Sequence, residues 1–240
     1  LYARFWSKFL YDRGYIPFEE PFQKMINQGM ILGRSSFVYR DRSSGKFVSL
    51  NKKEGLDLAP LHVDINIVDN DKLNIEAFKT SRTEYAHAEF ILEEDGTYIC
   101  GSEVEKMSKS KYNVQTPDDL VEQFGADTLR MYEMFLGPLE QAKPWDTKGI
   151  NGVHNFLRKL WRLFHDADGN LLLTEGEPDA KALKTLHKTI KKIQDDMDRY
   201  VFNTVVSAFM ICVNELTEQK CNNKAILQEL VVLMVPYAPH

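Results

Sequence analysis

The amino-acid sequence predicts a mixed α/β region that is followed by an antiparallel bundle of α-helices. Between positions 35 and 104, short apolar runs with alternating polar residues are separated by turns rich in glycine and aspartate, which is typical of β-strands. From position 152 onward, apolar residues recur every three or four positions, which is the spacing of amphipathic helices. Together these patterns predict an α/β plus α fold class.

The composition is that of an ordinary globular protein. Of the 240 residues, 43% are hydrophobic and 27% are charged, so the chain can bury a sizeable core. The net charge of −5 gives no global sign of a nucleic-acid partner, although a local basic face could still bind RNA; we expect no DNA partner. We see no signal peptide and no apolar run of membrane-spanning length, and therefore expect no membrane partner.

The cysteines and the chain ends lead to two further expectations. Cys100, Cys212 and Cys221 form no C-x-x-C pair, so we expect no zinc site and a reducing, cytoplasmic location. Leu1 begins inside an apolar-periodic segment, and His240 directly follows a Pro-Tyr-Ala-Pro sequence. These ends predict that the chain is a piece of a longer polypeptide.

The first 34 residues predict two helices and a strand. Apolar residues at helical spacing predict a helix over 1–13, ended by Gly14. A second helix is expected to begin at Glu19-Glu20-Pro21, and the apolar run 29–33 reads as a short buried strand. This order fits the second half of a Rossmann-type nucleotide-binding sheet, whose ligands bind at the carboxyl ends of the strands.

The segment from 35 to 100 predicts β-hairpins. Apolar runs on both sides of 41–46 indicate a first hairpin, and 89–92 with 97–100 indicate a second around an Asp-Gly turn. Residues 61–67 alternate as in a half-buried strand. The isolated His62 and His87 are assigned neither a catalytic nor a metal role.

The sequence Lys-Met-Ser-Lys-Ser at 106–110 is the strongest candidate for chemistry. Two lysines three positions apart, separated by small or flexible side chains, suit a mobile loop that closes over a polyphosphate. The alternative is a solvated basic turn. Thr116 and Pro117 then predict the start of a helix, and a further helix follows over 126–136, in which Asp127 and Arg130 are expected to form an ion pair.

The last 100 residues predict the bundle. After a linker that carries Trp145, a helix from Gly152 is expected to point Trp161 inward and Arg158 and Arg162 outward. Asp179 is expected to cap the longest helix, and two more helices follow, beginning near 200 and at 222 or 223. The long helix carries a stripe of lysines, for which a solvated face and a phosphate contact both stay open: Lys181, Lys184, Lys188 and Lys191.

The sequence from Lys106 runs on through Pro-Asp-Asp-Leu-Val and Phe-Gly-Ala-Asp-Thr-Leu-Arg to Arg130. This succession resembles the second ATP signature of class I aminoacyl-tRNA synthetases with its downstream helix pair. Upstream, Leu-Tyr-Ala-Arg-Phe-Trp at the start, Glu-Pro-Phe at 20–22 and Asn-Gln-Gly-Met at 27–30 resemble bacterial leucyl-tRNA synthetases. The resemblance covers nearly the whole chain and is weakest between 33 and 105.

The resemblance implies four units. Residues 1–34 would be the second half of a Rossmann catalytic domain, and 35–104 a β-rich leucine-specific insertion. Residues 105–150 would hold the signature loop and the stem-contact helices, and 151–240 a truncated helical anticodon-binding bundle.

The resemblance also implies roles for individual residues. Lys106 and Lys109 would be catalytic and would contact the departing phosphates of ATP, while Ser108 and Ser110 supply donors and Met107 packs the loop. The adenosine moiety would lie near Gln28, Gly29 and Met30. Contacts to tRNA are expected from a further set: Trp145, Arg158, Arg162, Lys184 and Lys188.

The implied function is ATP-dependent activation of leucine and its transfer to tRNA(Leu), with Mg²⁺ sharing the phosphate charge. The first signature of the family, a His-Ile-Gly-His type sequence, is absent, so we expect the chain alone to be inactive. Two alternatives are a non-catalytic tRNA-binding module and a part of an isoleucyl-, valyl- or methionyl-tRNA synthetase.

Overall fold

The computed structural model describes residues 1–240 and has an α/β part followed by four long helices. The strands are β1 Ile31–Asp41, β2 Phe47–Val48, β3 Leu58–Val63, β4 Val68–Asp69, β5 Lys72–Leu73, β6 Phe90–Ile91, β7 Gly101–Lys106 and β8 Lys143–Pro144. The helices are α1 Tyr2–Asp12, α2 Ile75–Ser81, α3 Pro117–Phe124, α4 Ala126–Phe135, α5 Ile150–Phe164, α6 Ala180–Asp198, α7 Phe202–Glu218 and α8 Lys224–Met234. The predicted α/β plus α fold class is confirmed.

Strand β1 is the centre of the main sheet. Ser36 and Phe37 pair with both β3 and β7, so these two antiparallel strands lie on opposite edges of β1. β2 continues the β7 edge in the predicted first hairpin, with Tyr39 opposite Val48, and β8 pairs in parallel with the start of β1. β1 also runs through the proposed boundary at residue 34, and the division into four units stays a prediction.

The second predicted hairpin is only partly formed. The turn is present, because the Glu93 amide donates to the Thr97 carbonyl at 2.9 Å, but 97–100 does not pair with β6. Instead β6 runs parallel to β2, where Phe90 stacks on Phe47. The buried Tyr98 donates its hydroxyl to the Val48 carbonyl, so packing against β2 overrides the local turn signal. The strand expected over 61–67 ends at Val63 and gives way to a 3₁₀ turn.

The helical part is built around one large apolar core. Helices α3 to α8 contribute to a cluster of 22 buried residues, whereas the core of the β-rich region contains 7. Asp179 caps α6 by accepting from the Lys181 amide at 2.8 Å, as predicted, and Asn223 caps α8. No helix of the structure combines the length and the apolar character needed to cross a bilayer.

The second helix expected in the first 34 residues is wrong. α1 forms and ends before Gly14 as predicted, but no helix follows it before β1. Phe22 and Met25, which such a helix would have to bury, are 67% and 80% exposed. Without an apolar surface to cover, a short helix gains too little to form; the segment is instead tied to α1 by Arg4, whose Nε donates to Glu20 at 2.8 Å.

Two side-chain predictions are also wrong. Asp127 and Arg130 form no ion pair, because both reach the C-terminal segment: Arg130 donates to the Pro236 carbonyl at 3.1 Å, and Asp127 accepts from the His240 amide at 3.0 Å. Trp161 does not point inward. It is 61% exposed and stacks on His165, with ring centroids 3.8 Å apart.

Candidate functional site

The lysine- and serine-containing loop at 106–110 begins where the main sheet ends. Lys106 is the last residue of β7 and lies opposite Leu32, near the beginning of β1. The chain then makes a 3₁₀ turn over Lys109–Lys111, and Tyr112 closes it in the left-handed conformation with φ 52°. The loop therefore folds back toward the end of the sheet where β7 ends and β1 begins.

Asn113 fixes this return. Its side chain is completely buried, and its Oδ1 accepts from the Ser108 amide at 2.9 Å. Its Nδ2 donates to the Ser35 hydroxyl at 2.8 Å and to the Lys106 carbonyl at 3.4 Å. One amide side chain thus joins the loop, the strand before it and β1, which is the usual way in which a buried polar group is satisfied.

Gly33 leaves the space into which the loop fits. A Cβ at this position would lie 2.6 Å from the Asn113 carbonyl oxygen and 2.9 Å from Met107 Cγ. Met107 is half-buried, which agrees with a packing role for its side chain. Only glycine lets the loop approach β1 this closely.

The three lysines in and after the loop have different environments. Lys106 and Lys109 are exposed, and neither forms an ion pair with a carboxylate. Lys111, in contrast, pairs with Glu105, and this contact, followed by those from Ser35 and His62, lowers the pKa of the Glu105 carboxyl to about 2. The serines of the loop contact each other, with 3.0 Å between the Ser108 and Ser110 hydroxyl oxygens.

Gln28, Gly29 and Met30 lie at the same end of the sheet, directly before β1. The Gly29 amide donates to the Leu139 carbonyl at 2.7 Å, and the Met30 carbonyl accepts from the Lys143 amide at 2.9 Å. Gln28 and Gly29 line a pocket of about 230 Å³. Lys143 also lines it, and burial lowers the pKa of its ammonium group. The structure thus brings the expected adenosine residues and the loop to the same end of the main sheet, where β1 begins.

The residues expected to contact tRNA fall into separate places. Trp145 is half-buried and packs edge-on against Tyr132, with ring centroids 5.1 Å apart. Arg158 and Arg162 point outward from α5, as predicted, and line an open groove of about 370 Å³ together with Lys159. None of these three cations forms an ion pair, so the groove presents unneutralised positive charge.

The lysine stripe on α6 is less uniform than its spacing suggests. Lys184 is exposed and forms no ion pair, whereas Lys188 Nζ lies 4.0 Å from Glu215 Oε1 on α7. Glu215 also accepts from the Thr185 hydroxyl at 2.9 Å. Part of the stripe therefore serves helix packing, and the role of these lysines toward RNA stays a prediction.

Sequence reasoning missed the residues that hold the loop. Glu105, Asn113 and Gly33 lie within or next to the recognised stretch, yet no role was expected for them. His62 is isolated in the sequence, yet its ring contacts Glu105 in the structure. The available signal was indirect: an asparagine without a cap or turn to serve, and a glycine inside an apolar strand, often mark a close backbone approach.

Two family models match the chain. Residues 179–240 match the anticodon-binding domain of tRNA ligase, and residues 77–146 match tRNA synthetases class I (I, L, M and V). The second match contains the loop at 106–110.

Individual relatives match over the whole chain. The leucine–tRNA ligases of Phocaeicola vulgatus and Cytophaga hutchinsonii are 61% and 59% identical over 240 residues, which is 100% of this chain and 25% and 26% of theirs. Among solved structures, the LeuRS–tRNA–LeuAMS ternary complex of Agrobacterium radiobacter K84 agnB2 LeuRS is similar with a TM-score of 0.58 at 25% identity. This match covers 100% of this chain and 24% of that protein.

These comparisons confirm the resemblance seen in the sequence motifs. The chain spans about a quarter of the length of the curated relatives that it matches. At about 60% identity from end to end, it is similar to one quarter of the length of these leucine–tRNA ligases, and its residues 77–146 match the class I tRNA synthetases.

Proposed function

We propose that this chain supplies the ATP-phosphate loop and the tRNA-facing helices of an enzyme that joins leucine to tRNA(Leu). The observation that carries the proposal is the match to leucine–tRNA ligases along the entire chain, together with two uncompensated lysines on a loop that is otherwise firmly held. Relatives at 61% and 59% identity are leucine–tRNA ligases, which favours leucine over isoleucine, valine or methionine. The four units proposed above would divide this work.

In the proposed reaction, the carboxylate of leucine attacks the α-phosphorus of ATP. The bond from that phosphorus to the bridging oxygen breaks, and pyrophosphate leaves with the electron pair. Lys106 and Lys109 stabilise the negative charge that develops on the leaving group, because preorganised cations act on charge as it forms. The terminal ribose of tRNA then attacks the leucyl carbonyl and AMP leaves.

Fixing the loop backbone supports this role. Asn113 and Gly33 determine where the backbone runs, while the side chains of Lys106 and Lys109 remain unpaired. Such an arrangement leaves the lysines mobile enough to follow the phosphates during bond breaking. The adenosine moiety would lie near Gln28 and Gly29, at the neighbouring end of β1.

Mg²⁺ fits this chain only as an ion carried by the nucleotide. The structure has no group of three or more histidine, cysteine, aspartate or glutamate side chains that could hold a metal. Mg²⁺ commonly stays bound to substrate phosphates and water rather than in a cage of protein ligands. The ion would therefore be held by phosphate oxygens and water rather than by side chains of this chain.

We also propose a reducing compartment, such as the cytoplasm, as the place of action. Cys100 and Cys212 are buried free thiols, and burial raises the pKa of the Cys100 thiol to about 12. A thiol that is rarely ionised reacts slowly with oxidants, which fits a structural role.

The test is leucine-dependent ATP–pyrophosphate exchange. The chain is assayed alone and after addition of the N-terminal remainder of its parent protein. We expect exchange only in the combination. In that combination, Lys106→Gln and Lys109→Gln should each lower the rate by roughly a hundredfold, the usual effect of removing one donor to a developing charge.

Lys191→Gln is the matched control, because it removes an exposed, unpaired lysine from α6. It should leave the exchange rate unchanged. Exchange that survives both loop substitutions would exclude the proposed role of the loop, and exchange by the chain alone would show that the missing first signature is dispensable.

A second candidate function, RNA binding without catalysis, is favoured by the groove on α5. Three cations line it without a neutralising carboxylate, and the exposed ring of Trp161 on the same helix offers an aromatic face. Positively charged grooves beside exposed aromatic side chains are typical of single-stranded nucleic-acid sites.

Binding of tRNA at several salt concentrations tests this candidate. Each arginine that contacts a phosphate contributes about 0.7 to the slope of log affinity against log salt for a single strand. The double variant Arg158→Gln, Arg162→Gln should therefore flatten the slope by about 1.4. Arg13→Gln, an exposed arginine without an ion pair at the end of α1, is the control and should leave the slope unchanged.

A further inference from the structure

The carboxylate of Glu105 touches both ends of the loop at 106–110. Glu105 directly precedes the loop, and its Oε2 accepts from Nζ of Lys111, which directly follows the loop. Its other oxygen, Oε1, lies 2.7 Å from Nε2 of His62. The Glu105 side chain is 21% exposed, so these charge-assisted contacts are shielded from much of the solvent.

The sheet register explains why these groups meet. Glu105 lies opposite Gly33 on one edge of β1, and His62 lies opposite Phe37 on the other edge. Alternate residues of a strand share a face, so Gly33, Ser35 and Phe37 lie on the same side. The side chains of their cross-strand partners therefore point to that side too, and Glu105 can reach His62 across β1.

This contact connects the loop to the β-rich region. His62 belongs to β3, and its ring also contacts Phe37, with centroids 4.6 Å apart. The amide of Ile65, just after β3, donates to the Tyr112 carbonyl at 3.2 Å. Two independent contacts thus tie the end of β3 to the base of the loop.

We propose that Glu105 is a positioning residue, which joins the two ends of the loop through Lys111 and fastens them to the β-rich region through His62. In consequence, the three neighbouring lysines have different tasks. Lys111 is committed to Glu105, and only Lys106 and Lys109 are available to phosphates. This inference rests on the proposed function of the loop.

The contacts of Glu105 with Lys111 and His62 are called the clamp below. Amide hydrogen exchange on the chain itself tests it. The Ser108 amide is the reporter, because it donates to Asn113 inside the closed loop. Glu105→Gln keeps the shape of the side chain and removes its charge. We expect exchange at Ser108 to become roughly tenfold faster, the factor that corresponds to the loss of one charge-assisted hydrogen bond. Amides of α7 should be unaffected.

Glu103→Gln is the matched control. Glu103 is exposed, lies on the same strand two residues earlier and forms no ion pair. Exchange at Ser108 should match that of the unchanged chain. Equal exchange in the Glu103 and Glu105 variants would overturn the proposal.

A double-mutant cycle separates the contact of Glu105 with Lys111 from its contact with His62. If Glu105 acts mainly through Lys111, then Lys111→Met should produce most of the acceleration seen with Glu105→Gln, and adding it to Glu105→Gln should give no further acceleration. His62→Gln should have a smaller effect, and strict additivity of Glu105→Gln and Lys111→Met would contradict the clamp. Lys111 is one-third exposed, so its variant also provides the test if Glu105→Gln fails to fold.

A kinetic measurement then links the clamp to the phosphates. In the pyrophosphate-exchange combination, Glu105→Gln should raise the KM for ATP and leave the KM for leucine unchanged, while Glu105→Asp restores part of the loss. An unchanged KM for ATP would overturn the positioning role. If the combination shows no exchange at all, the proposed function fails, and the amide-exchange result still decides whether the clamp exists.

Discussion

The helical bundle and the loop region of this chain are stabilised by different kinds of contact. The bundle is held by one cluster of 22 buried apolar or aromatic residues. The β-rich region has a core of only 7 such residues. Where the loop meets β1, the buried groups are polar: the hydroxyl of Ser35 and the amide of Asn113.

The difference follows from what each region has to expose. A bundle can bury its apolar faces and leave any polar surface to solvent, so apolar area sets its stability. A loop that presents Lys106 and Lys109 cannot be buried. Its conformation must come from hydrogen bonds, which add little net stability but strongly penalise a wrong geometry. Substitutions in the two regions should therefore have different consequences.

The largest effect is expected in the bundle core. Phe209 on α7 is completely buried and packs edge-on against Tyr237, with ring centroids 5.6 Å apart. Phe209→Ala should lower the free energy of unfolding by about 3–5 kcal/mol, because it removes apolar contacts and leaves a cavity. Urea unfolding measures this value.

Ile211→Ala is the control on the same helix. Ile211 is 55% exposed, and its truncation should change the free energy of unfolding by no more than about 0.5 kcal/mol. Similar losses at both positions would show that the bundle core is not packed as described.

A smaller but more local effect is expected at Gly33, against which the loop packs. Gly33→Ala forces a methyl group against Asn113 and Met107, and such overpacking costs about 1–3 kcal/mol. In contrast to the bundle substitution, it should also accelerate amide exchange at Ser108. NMR-detected exchange and urea unfolding report the two quantities separately.

Gly152→Ala tests whether the glycine itself matters. Gly152 lies in α5 with open space around it, so alanine should stabilise the helix by up to about 1 kcal/mol. A destabilising Gly152→Ala with a neutral Gly33→Ala would reverse the assignment of the close approach.

The same contrast explains which features could be predicted from the sequence. Helices α5 to α8 follow from apolar periodicity, because each must turn one face to a common core. The helix expected after Glu19 did not form, since Phe22 and Met25 have no core to enter. A helix predicted from a local pattern forms only where the tertiary structure provides an apolar surface for it to cover.

The sequence singles out the lysines of the candidate site, whose role stays a prediction, but not the residues that hold the loop in place. By residue type and spacing, the sequence 106–110 suits a phosphate loop or a solvated basic turn, and the resemblance favours the phosphate loop. The contacts of Glu105 with His62, and of Asn113 with Ser35, join residues 43 and 78 positions apart. Such pairs depend on the register of β1 with β3 and β7, which no local pattern specifies.

A moderate effect is expected at the start of α6. The Asp179 carboxylate accepts from the amides of Lys181 and Ala182 and is the clearest helix cap in the bundle. Asp179→Ala should lower the free energy of unfolding by about 1 kcal/mol. Glu177→Ala, two residues earlier and without a capping contact, is the control. A cap loss as large as the Phe209 effect would mean that polar contacts, rather than the core, dominate the bundle.

The smallest effect is expected in the titration of Glu105. It distinguishes a carboxylate stabilised by an ion pair from one stabilised by uncharged hydrogen-bond donors. The pKa of Glu105 is lowered from 4.5 to about 2, first by Lys111 and then by Ser35 and His62. The pKa of Asp41 is lowered from 3.8 to about 2 as well, but by the hydroxyl and amide groups of Ser44 and Ser43.

A carboxyl whose pKa is lowered by folding stabilises the folded form at pH values above its pKa in the unfolded chain. This stabilisation is lost as the pH falls through its pKa in the folded chain. The clamp should therefore hold at neutral pH and release between about pH 4.5 and 2, the window set by the two values for Glu105. Carboxyl-carbon NMR follows each titration directly. Added salt should raise the midpoint of Glu105 toward 4.5, because salt screens a partly exposed ion pair, and should leave that of Asp41 almost unchanged. Equal salt shifts at both carboxylates would show that Lys111 does not support the loop as an ion-pair partner.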